Sequence, residues 1–196
     1  MRDTFGLDSL VAKLSQQLPA AQLKGIAARF SYPEADKPES LNKRFRKTGY
    51  LTLNQLAALV DWKTAGRQTK NFRDNNSEAA VKLVTALAAY AADRLAEAPD
   101  IPASILLALR AVHFSTASVI LTAWDPSEYG ILDVRVWSAL HALSGDARFD
   151  RGKRVLFTAE EFRLYTLLLR RWGRRVRVSP RTIDKALWQF DKERAA

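Results

Sequence analysis

Leu106-Leu-Ala-Leu-Arg-Ala-Val-His-Phe-Ser-Thr-Ala-Ser-Val-Ile-Leu-Thr-Ala-Trp124 runs straight into Asp125-Pro-Ser-Glu-Tyr-Gly-Ile-Leu-Asp-Val-Arg-Val-Trp137. These two stretches decide the fold. The first reads as one helical arm over Pro102–Leu109, a tight connection, and a second arm over Ser115–Trp124, so a helical hairpin spans 104–124. The second is a turn punctuated by Pro126 and Gly130, followed by a lone acid, Asp133, that opens a third helix. That helix runs to about Leu143 and is stopped by Ser144-Gly145.

Outward from this centre the periodicity stays helical. Leu7, Leu10, Val11, Leu14 and Leu18 mark a first helix over Phe5–Leu18, with Asp3 or Thr4 placed to cap it. A second follows over Pro19–Phe30, Pro19 suiting a first helical position. Residues 31–49 hold two prolines, a run of cations and little apolar content, and read as a loop. Thr52 caps a short helix to Val60. Ser77 opens another that runs to about Ala96 on Val81, Leu83, Val84, Leu87, Ala88 and Leu95. Thr158-Ala-Glu-Glu161 is patterned as a capping box for a helix to about Trp172. Ser179-Pro180 begins a last one ending near Phe190. No segment alternates at period two for long enough to be a strand. The expectation is an all-α single domain over 1–196, with eight or nine helices around a central helix-hairpin-helix.

Composition narrows the chemistry. The chain has 196 residues, 47% of them hydrophobic, and no cysteine, which rules out disulfides, thiolate nucleophiles, zinc–thiolate sites and iron–sulfur clusters. With two histidines, His113 and His141, a multi-histidine metal site is not expected. No run approaches the ~20 apolar residues that span a bilayer, and the first residues carry acids rather than a signal-peptide pattern. The expectation is a cytoplasmic, nucleoid-associated monomer without a membrane partner. Net charge is +10, and residues 148–196 carry 14 Lys/Arg against 6 Asp/Glu, while 1–147 carry 17 against 15. The concentrated part includes Arg151-Gly-Lys-Arg154 and Arg170-Arg-Trp-Gly-Arg-Arg-Val-Arg177, with a smaller cluster at Asn42–Lys47. Each cluster alone is compatible with a solvated surface; together the basic C-terminal helices of 148–196 favour a polyanion through counterion release.

The stretch 104–140 resembles the helix-hairpin-helix DNA glycosylase superfamily, the fold of endonuclease III and the alkylation-repair glycosylases. Leu109-Arg-Ala-Val-His-Phe-Ser-Thr-Ala117 stands where that family has its L-P-G-V-G-x-x-T/V-A hairpin, and Ile131-Leu-Asp-Val-Arg-Val-Trp137 where it has V-D-x-H/R-V. The resemblance implies double-stranded DNA as partner and Asp133 as the catalytic carboxylate. Such a carboxylate meets the positive charge that builds on the sugar as an N-glycosidic bond breaks. It implies backbone grip by Arg110, Ala111, Val112, His113, Phe114, Ser115 and Thr116, and a monovalent cation as the one cofactor the hairpin could hold. Ala111 and His113 replace the family's glycines. The lysine of strand-cleaving members would fall at Ser115, and no lysine occurs between Lys82 and Lys153. A monofunctional enzyme is therefore implied, with a non-catalytic DNA-binding module of the same fold as the alternative.

Further candidates come from the residues themselves. Asp133 also reads as a plain N-cap, and a cap carboxylate is held rigidly, so the two roles coexist. Asp61-Trp-Lys-Thr-Ala-Gly-Arg67 combines stacking with phosphate chemistry: Trp62 is a candidate base-pocket residue, Lys63 and Arg67 are candidate DNA ligands, and core packing with solvated cations is the competing reading. Arg135 is placed to pair with Asp133 or reach a phosphate. Arg170, Arg171, Arg174 and Arg175 are the candidate backbone-binding cluster. Trp124, Trp137, Trp172, Trp188 and His141 read as core, and Arg181 with Asp184 as a structural ion pair.

Overall fold

The computed structural model describes residues 5–150, 152 and 156–195. Among the described residues the chain is all-helical, with twelve α-helices and no strand. They are α1 (Leu7–Gln17), α2 (Ala20–Ala28), α3 (Lys37–Ser40), α4 (Asn42–Thr48), α5 (Leu53–Thr64), α6 (Thr69–Asn75), α7 (Glu78–Arg94), α8 (Asp100–Leu106), α9 (Phe114–Trp124), α10 (Val134–Ser144), α11 (Ala159–Val176) and α12 (Pro180–Arg194), with a 3-10 turn at Ala147–Phe149.

The expected hairpin is α8 and α9. The connection is longer than the sequence suggests, because Leu107–Leu109 turn off the helix through i→i+3 bonds. In α9 every residue but Ser115 is buried. A helix apolar all round must be wrapped, and α3, α4, α5, α7 and α8 all pack on it. The second body of helices sets α12 against α2 and α10, and α11 against α1 and α8. Trp137 and Trp172 are fully buried here, as their helical spacing suggests.

Local chemistry explains the helix starts. Thr52 and Gln55 cap α5 reciprocally, and Thr158 and Glu161 do the same for α11. Ser77 accepts from the Ala80 amide, and Ser179, followed by Pro180, from that of Thr182. Gly145 takes the left-handed conformation that ends α10. At the first helix Gly6 occupies the cap position, and Asp3 and Thr4 lie outside the described residues. So do Arg151, Lys153 and Arg154 of the C-terminal basic cluster.

Several expectations need correction. Residues 31–49 are not a loop, because Lys37–Ser40 and Asn42–Thr48 are helical and Phe45 is buried. Lone buried anchors, Pro38 and Phe45, replace the repeated stripe that periodicity requires. α7 keeps part of its expected face, with Val81 and Ala88 buried, but Leu83 is 70% and Leu87 51% exposed, whereas Thr85, Ala89, Ala91 and Ala92 are buried. This helix lies close against α8 through small side chains, so the bulkier leucines point outward. Leu95, 38% exposed, is likewise off the core. His141 is exposed, its ring near the Asp146 carbonyl, because α10 buries Val136, Trp137, Leu140 and Ser144 and leaves residue 141 on the edge of that stripe. α11 and α12 run further than their patterns show, to Val176 and Arg194.

Candidate functional site

The site is built on four residues outside any helix, Gly130–Asp133, held by side chains from three helices. Asp184 of α12 accepts the Ile131 amide at 2.5 Å, Tyr165 of α11 donates its hydroxyl to the Ile131 carbonyl at 2.9 Å, and Ser118 of α9 accepts the Leu132 amide at 2.9 Å. A buried segment outside helices must satisfy its amides and carbonyls somewhere, and here each bond also fixes position. Gly130 is needed for the fit, since a Cβ there would meet Leu169 Cδ1 at 2.6 Å and the Pro180 carbonyl oxygen at 3.0 Å.

The segment delivers Asp133 to the N-terminus of α10. One carboxylate oxygen caps the helix by accepting the Arg135 amide at 2.9 Å, and the other lies 2.8 Å from Lys63 Nζ. The Lys63 side chain is only 11% exposed and that of Asp133 27%, so this is a half-sheltered ion pair rather than a surface one. Burial pushes the Asp133 carboxyl up, but the Lys63 ammonium, the Arg135 amide and the Arg135 charge outweigh it and hold the acid below its ordinary value. The helix N-terminus acts in the same direction. Asp133 is therefore an ionised carboxylate in a poorly solvated place. Arg135 does not bond it through its guanidinium, which instead reaches Asp191 at 3.3 Å and lies 5.5 Å from the centre of the Trp188 ring.

Beside the pair is a pocket walled by Phe30, Tyr32, Trp62 and Trp188, with Ile131 and Val136 as apolar lining and Arg181 and Asp184 also lining it. The rings meet edge to face: Tyr32–Trp62 at 4.9 Å, Phe30–Trp188 at 5.2 Å and Tyr32–Trp188 at 5.6 Å between centroids. The Trp62 indole donates to the Pro33 carbonyl at 2.8 Å, and the Tyr32 hydroxyl to the Trp62 carbonyl at 3.1 Å. Burial, then the Asp133 charge, raises the Tyr32 phenol above its ordinary value. The space within the pocket is about 30 Å³, room for a water or two. Arg181 and Asp184 form the expected ion pair at 2.7 Å, with Glu39 on the guanidinium at 2.8 Å. Burial raises Asp184 to about 6 against the opposing pull of Arg181 and the Ile131 amide.

The hairpin connection is tied to Asn76, the residue that ends α6. The Asn76 side chain accepts the Arg110 amide at 3.0 Å and donates to the Arg110 carbonyl at 3.2 Å. Ala111 has φ +63°, a left-handed conformation in which glycine is at ease and alanine is strained. The chain thus keeps a glycine-type backbone without the glycine. His113 is the N-cap of α9 with no side-chain cap bond. Val112, Phe114 and Thr116 are buried, and Arg110 and His113 exposed, so contact through this turn falls to those two side chains, the partly exposed Ser115 and the backbone.

Of the basic candidates, Lys63 joins Asp133, Arg135 meets it only through its backbone amide, and Arg67, exposed with its Nε on the Thr64 carbonyl, follows α5 nearby. Arg170 must be corrected. Its side chain is 5% exposed, paired to Glu128 at 3.0 Å and bonded to the Glu128 and Ala96 carbonyls, so it ties the 125–130 turn to α11 instead of facing a partner. Arg171 is 16% exposed and pairs with Asp8 at 3.2 Å. Arg174 and Arg175 are exposed. The wall residues Phe30, Tyr32 and Trp188 were not legible as a site. Trp188 sits at core spacing and is partly exposed at the pocket; the paired aromatics at 30 and 32 were the available signal.

Among the described residues no group of three or more His, Asp or Glu side chains is placed to hold a metal ion, and no helix is long and apolar enough to cross a membrane. No protein-family model, curated protein or solved structure matches the chain.

Proposed function

We propose that the chain is a DNA N-glycosylase, removing a damaged or modified base by hydrolysis. The observation that carries this reading is Asp133: an ionised carboxylate, fixed by its backbone supports, at the edge of an aromatic pocket. Breaking a glycosidic bond leaves positive charge on the sugar, and a preorganised anion in a poorly solvated site stabilises that charge far better than water does. A flipped base needs aromatic faces to stack on, which Trp62, Tyr32 and Trp188 supply. The partner is duplex DNA, approached through the hairpin turn at Arg110–Thr116, with Arg67, Arg174 and Arg175 as exposed cations. A cation at the hairpin belongs to the same reading.

A space of about 30 Å³ does not admit a base, so the wall carried by residues 30–33 and Trp62 has to move. That narrowness favours the second reading, a module of the same fold that binds bent or modified duplex without cutting. Base release separates them. Duplexes carrying alkylated, deaminated, oxidised or hypermodified bases are incubated with protein, then heated in alkali to break any abasic site. Cleavage by wild type, reduced on the order of 100-fold or more in Asp133→Asn with duplex binding kept, supports the enzyme. Intact binding with no cleavage across the panel favours the module.

A further inference from the structure

We propose that α7 is the contact of a two-fold symmetric dimer, packing antiparallel against α7 of a second copy of the chain. Seven large apolar side chains are exposed among the described residues, and five of them fall between Leu83 and Ile101. Leu83, Leu87 and Tyr90 are 70%, 51% and 57% exposed. Their spacing sets them on one stripe of α7, opposite the buried Val81, Thr85, Ala88 and Ala92. Ala79 and Ala86 belong to the same outer side, and Arg94 extends it, its guanidinium carbon lying 3.6 Å from the centre of the Tyr90 ring. A helix apolar on both faces is normally covered on both, and a contiguous exposed apolar patch marks a contact surface.

Charge and size together select a second copy as the occupant. The chain carries +10, yet α7 holds two acids, Glu78 and Asp93, against two bases, Lys82 and Arg94. Two copies therefore meet here without the repulsion that the net charge imposes elsewhere, and a polyanion finds no excess of cations to bind. The stripe also fits itself. A two-fold axis passing between Ala86 and Leu87 sets Leu83 opposite Tyr90 of the second copy, and each Ala86 beside a Leu87. The small alanine at the crossing lets the two helices approach, because their separation follows the side chains at the contact. The same axis brings Lys82 toward Asp93 of the second copy, and these side chains are 41% and 45% exposed. The contact is thus isologous, each copy giving what the other takes. A single pair of helices lies at the low end of interface sizes, so association in the micromolar range is expected in place of the monomer anticipated from sequence. The dimer does not depend on what the aromatic pocket binds.

The test is the oligomeric state in solution, without DNA. Sedimentation equilibrium over micromolar concentrations should show wild type passing from monomer to dimer. Leu87→Glu, at an exposed position, should weaken association on the order of 100-fold while the circular dichroism of the helices is kept. The chain has no cysteine, so Ala86→Cys gives each copy a single thiol. Mild oxidation should link that variant into a covalent dimer, because the axis passes beside position 86. Ser9→Cys, exposed on α1, should stay unlinked, and adding Leu87→Glu to Ala86→Cys should abolish the link. A wild type that stays monomeric throughout would overturn the proposal and leave the stripe to a different partner. A dimer indifferent to Leu87→Glu, or linking no faster at position 86 than at position 9, would overturn it equally. If Leu87→Glu fails to fold, the contrast between positions 86 and 9 decides alone.

Discussion

Asp184 on α12 and Ile131, 53 residues before it, are joined by a 2.5 Å bond from the Ile131 amide to the buried carboxylate. The same carboxylate holds Arg181, so one side chain anchors both the support of Asp133 and a buried guanidinium. Asp184→Ala should cost about 3–5 kcal/mol, the usual result of leaving a buried charge without its partner, measured by denaturant unfolding. Asp184→Asn keeps an acceptor for the amide and should cost less. The pH dependence has a definite sign. A carboxyl raised to about 6 from an ordinary 3.8 favours the folded state most at low pH, and that contribution fades as pH rises through 4 to 6. The stability of wild type relative to Asp184→Asn should therefore fall between pH 4 and pH 7.

Asp133 behaves in the opposite way. Its acid is held below the ordinary value, so its stabilising contribution is present above about pH 4 and is lost as pH falls. Wild type should lose its advantage over Asp133→Asn on acidification below pH 4. Lys63→Met removes the main force holding the acid down, and burial then prevails. A titration of Asp133 followed by carboxyl NMR should move upward in that variant, with a stability loss of about 2 kcal/mol.

Gly173 and Gly130 should be ranked in their intolerance of a methyl group. A Cβ at Gly173 would meet a backbone atom, the Val178 carbonyl oxygen, at 2.5 Å, whereas the worst clash at Gly130 is with the end of the flexible Leu169 side chain. Gly173→Ala should cost at least the upper end of the ~1–3 kcal/mol typical of overpacking, and Gly130→Ala the lower end. Thermal unfolding of the two variants side by side checks the order.

The arginines of α11 should divide by function. Arg170→Ala should destabilise the protein and leave the salt dependence of duplex binding unchanged, because Arg170 is committed to Glu128 and two carbonyls. Arg174→Ala and Arg175→Ala should leave stability within about 0.5 kcal/mol. If they contact phosphate, each should flatten the slope of log affinity against log salt by about 0.9.

Ala111→Gly should stabilise the chain by about 1 kcal/mol, the strain of an alanine in left-handed backbone. Equilibrium unfolding reads this directly.

The helical class and most helix starts were legible because caps are local: Thr52, Ser77, Thr158 and Ser179 bond amides three residues away. Asp133 as a helix-opening acid was legible for the same reason. The outward turn of Leu83 and Leu87 was not, because apolar spacing does not say whether leucines or alanines face a close neighbour. Nor was the meeting of Lys63 with Asp133, which depends on how α5 is set against the start of α10, 70 positions further along the chain. Arg170 shows the limit of counting charges, since a cluster in sequence was divided by the fold between core and surface.

The supports of Asp133 and of the aromatic wall are unequal. The acid's segment is tied down through its own backbone from α9, α11 and α12, while the segment carrying Tyr32 is tied, beyond Trp62 of the wall itself, to the single helix α12, through Ser31 to Gln189, the Ala35 carbonyl to Arg181 and Asp36 to Lys185. Substitutions in residues 30–36 can thus accumulate without displacing the carboxylate. If the site removes bases as proposed, this arrangement lets the accepted base change over evolution while the acid keeps its place.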